Sequence, residues 1–171
     1  MGLKRAFVIG LCLAAVAAVV MLAAVIIRPP KIYISEICPS NSETSKKTAM
    51  QDKNGEPSDW IEIYNPTNKD ISLTGFSLSK NGGGDQPLGG YVIKAHDYII
   101  VYCSSAGFEN ADFPHADFSI GKVSEAEIIL KYDSLQCESI KMPKLNKGVS
   151  YSKNVKGEMY VSEPTPLAAN A

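Results

Sequence analysis

An acidic loop is the part of this sequence whose residue types best suit metal binding. Within residues 52–59, four side chains that carry a carboxylate or an amide oxygen surround a glycine: Asp52, Asn54, Glu56 and Asp59. Such oxygens bind calcium, but an EF-hand loop needs acids at alternate positions and a glutamate at position twelve. Lys53 interrupts that spacing, and no such glutamate follows. We interpret the segment as a solvated loop, with calcium as the weaker alternative, and predict no other metal and no cofactor.

Glu62 is the carboxylate that a catalytic interpretation would select, because it lies in a short apolar segment. Acid–base catalysis needs a second group within hydrogen-bond reach, and no obvious candidate is present. The two histidines, His96 and His115, are not at zinc-ligand spacing, and there is no nucleophile-elbow motif. We therefore predict no catalytic residues, and we expect Glu62 to form a cross-strand pair or a hydrogen bond to turn backbone.

The residues around Glu62 suggest structural roles. Trp60 has the area to anchor a sandwich core or cover a sheet edge, and ligand stacking is the alternative. Asn65 precedes Pro66, so it is expected to form a turn and bond neighbouring backbone. The chain also has eight tyrosines. Strands favour tyrosine, so we expect ordinary sheet packing, with a sticky face for protein or glycan as the alternative.

The elements that position these residues are predicted strands. Apolar and polar residues alternate with period two after residue 30, and no later segment shows three turns of helical periodicity. Turn signals such as Asn65-Pro66 and the glycines at 82–84 separate the segments. This pattern predicts an all-β fold, for which we prefer a two-sheet sandwich over a barrel. The predicted strands are 31–37, 60–64, 71–73, 76–79, 91–93, 98–103, 127–132 and 137–142, with short edges near 149 and 159.

The N-terminal 28 residues differ from the rest. Residues 6–27 contain no charged side chain, and 22 helical residues would span the roughly 30 Å hydrocarbon core of a bilayer. We expect a cytoplasmic segment at 1–5, a signal-anchor helix at 6–27, a linker at 28–31 and a β-domain at 32–170 outside the cytoplasm. The alternative is a cleaved signal peptide and a secreted domain.

Charge and cysteine content narrow the function further. Beyond Arg28 the chain carries 14 of its 17 Lys and Arg residues and all 18 Asp and Glu residues, a net charge of about −4. That balance disfavours a nucleic-acid surface, which needs basic residues for phosphates.

Cys38, Cys103 and Cys137 lie outside the apolar run. One disulfide with a free thiol and three reduced thiols both remain open.

Several segments, in order, resemble the lamin tail domain, an immunoglobulin-like sandwich. Residues 59–66 (Asp-Trp-Ile-Glu-Ile-Tyr-Asn-Pro) are similar to its second strand, after Ile-Ser-Glu-Ile at 34–37. Residues 71–79 look like its next strand, with Gly75 at the family's glycine and Phe76 where bacterial members often carry Trp. At 92–101, the residues Lys94, His96 and Asp97 depart from the common Pro, Gly and Gly. The later similar segments are 115–120, 127–133, 150–152 and 164–170.

This resemblance implies a fold and a binding role, since the family has no general catalytic residues. Trp60, Glu62, Asn65, Pro66 and Gly75 are then structural motif residues. Many bacterial members are similar in having an export segment, and they are often joined to spore coat protein H kinase-like domains or nucleases. We expect a non-enzymatic, membrane-anchored module whose partner is a protein or cell-wall polymer at the surface. The alternatives are the targeting portion of a larger surface enzyme and a calcium-stabilised adhesin-like module.

Overall fold

The arrangement of strands is given by a computed structural model, which describes residues 28–41, 50–104, 112–121 and 125–170. Twelve β-strands form within these ranges. They are β1 (Tyr33–Cys38), β2 (Asp59–Tyr64), β3 (Ile71–Ser72), β4 (Phe76–Lys80), β5 (Gln86–Pro87), β6 (Val92–Ile93), β7 (Tyr98–Cys103), β8 (His115–Ala116), β9 (Ala126–Tyr132), β10 (Leu135–Met142), β11 (Ser150–Lys153) and β12 (Met159–Ser162).

The strands assemble into two main sheets and one short ribbon. The larger sheet has the order β12-β11-β1-β2-β7-β8, and the smaller has the order β10-β9-β4-β5. The ribbon pairs β3 with β6. All pairings are antiparallel except that of β7 with β8. Strand β1, the first in the described chain, therefore lies inside the larger sheet, between β2 and β11.

The core lies between the two main sheets. One apolar cluster combines residues of the larger sheet, such as Ile34, Ile61 and Val101, with Leu78 and Leu130 of the smaller sheet. Alternate residues of a strand point to opposite faces, so isoleucines and valines at every second position fill this layer. The result is a β-sandwich, as the alternation predicts.

Gly75 shows how one residue fixes a turn in this fold. Its φ is +87°, a left-handed conformation that side chains with a Cβ rarely adopt. A Cβ at this position would lie 3.1 Å from Asp133 Oδ1 and 3.1 Å from the Tyr132 ring. Gly75 O also accepts a 2.7 Å hydrogen bond from Asp133 N. Glycine is therefore required both for the backbone angle and for the close approach of the β9–β10 turn.

The strand predictions are confirmed in place, with small shifts of their ends. The predicted edges near 149 and 159 are β11 and β12, which pair with each other. Strand β5, of two residues, is not predicted, whereas the two-residue strand β8 lies within the segment 115–120 that resembles a strand of the family. The segment 164–170, which resembles a closing strand of the family, forms no strand, because the last strand of the described chain, β12, ends at Ser162. The predicted span at 6–27 lies outside the described residues. Among the residues that are described, no helix has the length and apolarity needed to cross a membrane.

Candidate functional site on the outer face of the larger sheet

The outer face of the larger sheet carries three rows of side chains across β1, β2 and β7. Paired residues on neighbouring strands point to the same face. The register therefore places Cys38, Trp60 and Tyr102 in one row, Glu36, Glu62 and Ile100 in the next, and Tyr33, Tyr64 and Tyr98 in the third. A break in register between Ile34 and Glu36 brings Glu36 opposite Glu62. Each row has a different environment.

The third row lines a shallow groove, here called the tyrosine groove. The Tyr33 and Tyr64 ring centroids are 5.5 Å apart and the Tyr64 and Tyr98 centroids 4.5 Å apart. The Lys153 Nζ lies 4.6 Å from the Tyr33 centroid. All three rings are half-buried. The groove has a volume of about 210 Å³, and its other lining residues are Ser35, Lys153, Asn154, Val155, Ala169 and Asn170.

Two phenol groups of the groove, those of Tyr33 and Tyr98, have raised pKa values. Burial, aided by the neighbouring Tyr64 and Glu62, raises the pKa of Tyr98 to about 12. Burial and the nearby Tyr64 also raise the pKa of Tyr33 above its ordinary value. In the part of the chain that is described, no hydrogen bond joins the Tyr33, Tyr64 or Tyr98 hydroxyl to another protein group. The groove therefore presents three hydroxyls that are available to hydrogen-bond a ligand.

The middle row holds two buried glutamates under the C-terminal segment. Glu36 and Glu62 are both 0% exposed. Residues 163–170, here called the C-terminal strap, cross over them. Thr165 donates hydrogen bonds to the Glu36 carboxylate from its backbone N (3.0 Å) and from its hydroxyl (3.1 Å). Leu167 N donates to Glu62 Oε2 at 2.6 Å, which is the hydrogen bond to loop backbone expected for Glu62.

The strap also contacts the neighbouring backbone, and its last described residue borders the tyrosine groove. Asn170 Nδ2 donates to the carbonyl of Ser35 (2.9 Å) and to that of Lys153 (3.1 Å). On the other side of the carboxylate, Ser35 Oγ donates to Glu62 Oε1 at 2.5 Å. Burial raises the pKa of Glu62 to about 7, against the lowering effect of the Ser35 and Leu167 hydrogen bonds. Both Glu62 oxygens are thus occupied by donors within the fold.

The first row forms a second, smaller apolar cluster. Trp60 is fully buried there with Cys38, Ile100 and Tyr102, and Met50 and Phe113 pack against the cluster. Trp60 therefore covers the outside of the sheet and does not lie between the two sheets. The Tyr102 ring stacks on the His115 ring with centroids 5.4 Å apart. Burial lowers the pKa of His115, so the imidazole is neutral at pH 7.

Asn65 ties two loops together at the end of β2. Its side chain is fully buried and donates to the carbonyls of Lys69, Ile93 and Lys94 at 2.7–3.2 Å. Its Oδ1 accepts from the backbone N and the hydroxyl of Thr67. Pro66 follows it, half-buried, at the point where the strand has ended. The Asn-Pro pair therefore makes the turn that the sequence predicts.

The four calcium candidates do not converge on one point. Asp52 Oδ1 accepts hydrogen bonds from the backbone N of Asn54 and of Glu56, and Oδ2 accepts one from the Ser58 hydroxyl. Burial acts to raise the pKa of Asp52, but these bonds together lower it below its ordinary value. Asp59 instead accepts from a different loop, through Ile120 N and Gly121 N at 3.0 and 3.1 Å. Within the described ranges, no three His, Cys, Asp or Glu residues form a metal-binding group.

The three cysteines outside the apolar run are free thiols. Cys38 and Cys103 are buried, and burial raises the pKa of Cys38 to about 12 and that of Cys103 well above its ordinary value. Cys137 lies on β10 and is exposed. Of the two alternatives left open by the sequence, the structure has three reduced thiols and no disulfide among these cysteines. Only Cys137, of these three, is open to a reagent in solution.

The fold and the outer face together define a β-sandwich that presents a groove and buried polar networks. A family model for the Lamin Tail Domain matches residues 28–138, more than half of the chain. The chain therefore belongs to the lamin tail domain family, a family of non-catalytic, immunoglobulin-like domains. A search of curated proteins finds no match. Strands β11 and β12 lie beyond the matched residues and complete the larger sheet, and the strap also lies beyond the match.

The tyrosine groove and the carboxylate pair were not predicted from the sequence as sites. The sequence selects Glu62 without Glu36, and for the tyrosines it favours ordinary sheet packing over a binding face for protein or glycan. The signal that was available is the outward position of Tyr33, Tyr64 and Tyr98, each one residue from a core isoleucine. What was missing was the register that aligns them.

Proposed function

We propose that this protein is a non-enzymatic binding module, anchored by its N-terminal apolar segment and carrying its lamin tail domain outside the cytoplasm. The observation that carries the binding role is the tyrosine groove, a half-buried aromatic surface that the fold does not fill. The membership of a non-catalytic family supports the same role. The anchor rests on residues 6–27, whose apolar length matches a bilayer.

The carboxylates of the outer face support binding over catalysis. A general acid or base must reach a substrate proton. The Glu62 oxygens instead accept hydrogen bonds from Ser35 and Leu167, and Glu36 accepts them from Thr165. Both side chains lie beneath the strap and have no exposed surface. The two carboxylates therefore hold the C-terminal strap against the sheet.

Cys137 provides a direct test of the location. The full chain is produced in a bacterial host, and intact protoplasts are treated with a maleimide that cannot cross the membrane. We expect labelling of the membrane fraction, because Cys137 is exposed whereas Cys38 and Cys103 are buried. The Cys137→Ser variant is the matched control and should remain unlabelled. Labelling that appears only after lysis would place the domain in the cytoplasm and refute the proposal.

Intact mass separates the anchored form from the secreted form. An anchored chain keeps its full mass and sediments with membranes, and protease added from outside removes the β-domain. A loss of the first two to three dozen residues, with the labelled product in the medium, would identify a cleaved signal peptide. The binding role would then belong to a secreted domain.

A further inference from the structure

We propose that the tyrosine groove binds a neutral, β-1,4-linked polysaccharide, with the chain lying across β1, β2 and β7 and accepting hydrogen bonds from the three tyrosine hydroxyls. This inference names a ligand class for the proposed binding function. It rests on that function because the domain meets a surface polysaccharide only if it lies outside the cytoplasm. The groove itself can be tested separately. The argument uses the position of the tyrosines, their unused hydroxyls and the local charge.

The position of the tyrosines disfavours a peptide strand as the ligand. Peptides commonly bind sheets by pairing with a free edge. Tyr64 lies on β2, which is paired on both sides with Tyr33 of β1 and Tyr98 of β7. The three rings stand on the outer face of the sheet, so a ligand that lies across all three strands is recognised by side chains of that face and not by pairing with a strand edge. Three tyrosines provide apolar ring area together with hydroxyls, a combination that matches the apolar ring faces and the hydroxyls of a sugar.

The spacing of the row suits a repeating ligand. Neighbouring strands in a sheet are about 4.8 Å apart, and the ring centroids here are 5.5 and 4.5 Å apart. That step is close to the length of one pyranose unit along a β-1,4-linked chain. The groove volume of about 210 Å³ lies below the roughly 300–1,000 Å³ of enclosed ligand pockets, as expected where a polymer lies across a surface.

The charges around the groove are compensated, which favours a neutral ligand. Lys153 is the cation that lines the groove, and it forms an ion pair with Glu138. Glu36 and Glu62 beneath the strap are occupied by hydrogen bonds from Thr165 and Leu167. Among the residues that line the groove, the cation is already paired with a carboxylate, so an anionic polymer gains no ion pair. The groove lining also offers no exposed carboxylate to a cationic polymer.

The walls are held in place before any ligand arrives. Asn154 Oδ1 accepts hydrogen bonds from the backbone N of Lys156 and of Glu158. Asn170 is fixed to Ser35 and Lys153. A preformed surface loses little conformational entropy on binding. The groups left for the ligand are the three phenol hydroxyls and the exposed parts of the rings.

The test uses the purified full chain in detergent micelles, titrated calorimetrically with cellohexaose and chitohexaose. We expect saturable binding of at least one of them. One hydrogen bond contributes about 1 kcal/mol, or about a fivefold change in affinity. Each of the substitutions Tyr33→Phe, Tyr64→Phe and Tyr98→Phe should therefore weaken binding about fivefold, and the triple variant should not bind detectably.

Tyr151→Phe is the matched control, because Tyr151 is a half-buried tyrosine of the same sheet that lines a different groove. It should bind as the unmodified chain does. Unchanged melting temperatures would show that the phenylalanine variants are folded. The inference is overturned if neither oligosaccharide binds, if the triple variant binds undiminished, or if only a charged polysaccharide such as polygalacturonate binds.

The two proposals fail in different ways. If Cys137 is labelled from outside the membrane but no oligosaccharide binds, only the polysaccharide inference is refuted. If Cys137 is reached only after lysis while the purified chain binds sugar through the three tyrosines, the extracytoplasmic location is refuted and the groove assignment stands.

Discussion

Glu62 should make the stability of this protein depend on pH in an unusual direction. Its pKa is about 7 in the fold, against 4.5 for an ordinary glutamate. The folded state therefore holds a proton that the unfolded state releases between these two values. The stabilisation is fully present below pH 4.5 and is lost as the pH rises towards 7. Most exposed carboxylates with lowered pKa values act in the opposite sense.

The size of the effect follows from the shift. A difference of about 2.5 pH units, at about 1.36 kcal/mol per unit, corresponds to a loss of about 3 kcal/mol in the free energy of unfolding. Glu62→Gln should remove this dependence, because the amide is neutral at every pH. Its Oε1 can still accept the hydrogen bond from Leu167 N.

The assay is urea denaturation of the full chain at constant ionic strength across this pH range. Trp60 is the only tryptophan and is fully buried, so its fluorescence reports unfolding. His115 also titrates in this range, because its lowered pKa makes stability rise with pH below 6.5. The difference in the free energy of unfolding between the unmodified chain and Glu62→Gln removes this contribution, which both proteins share. Equal pH profiles for both proteins would refute the reasoning.

Three further predictions concern Asn65, two glycines and the acidic loop. Asn65→Ala removes five hydrogen bonds of a buried side chain and should lower the free energy of unfolding by about 2–4 kcal/mol in urea titrations. Gly82→Ala should cost about 1 kcal/mol from its left-handed φ of +69° alone, and Gly75→Ala at least twice as much. Chelator should leave the melting temperature unchanged, because both Asp52 oxygens already accept hydrogen bonds.

The outcomes that would contradict these three predictions are specific. A stable Asn65→Ala chain would mean that water replaces the lost donors and acceptors. Equal losses for the two glycine substitutions would mean that the contacts of Gly75 with Tyr132 and Asp133 relax freely. A melting temperature that falls in chelator and recovers with calcium would restore the calcium interpretation of residues 52–59.

The sequence predicts strands well wherever alternation runs over several residues. Strand β2 (Asp59–Tyr64) has buried isoleucines at alternate positions and a proline beyond its end, so its position could be predicted. Strand β5 (Gln86–Pro87) has two residues, one of which lacks a backbone donor. No periodicity exists in two residues, and β5 forms only because Leu78 and Ser77 of β4 lie beside it.

The candidate site was harder to predict, because it depends on register between distant strands. The alternation of apolar and polar residues predicts that Glu62 points outward. It does not predict that Glu36 lies beside it. Glu36 reaches the opposite position only because the register shifts between Ile34 and Glu36. The donor to Glu62 comes from Leu167, 105 residues away. A contact over this sequence distance cannot be predicted from the residues next to Glu62, because it depends on tertiary packing.

The interior place of β1 has a consequence for the order of folding. Glu36 pairs with Ser152 of β11, a partner 116 residues later in the chain. At a synthesis rate of about 5–20 residues per second, β1 waits about 6–23 s for that partner. One backbone edge of β1 stays open during this time, and open edges promote aggregation. A chaperone that holds the emerging chain during this time should therefore increase the yield of folded protein.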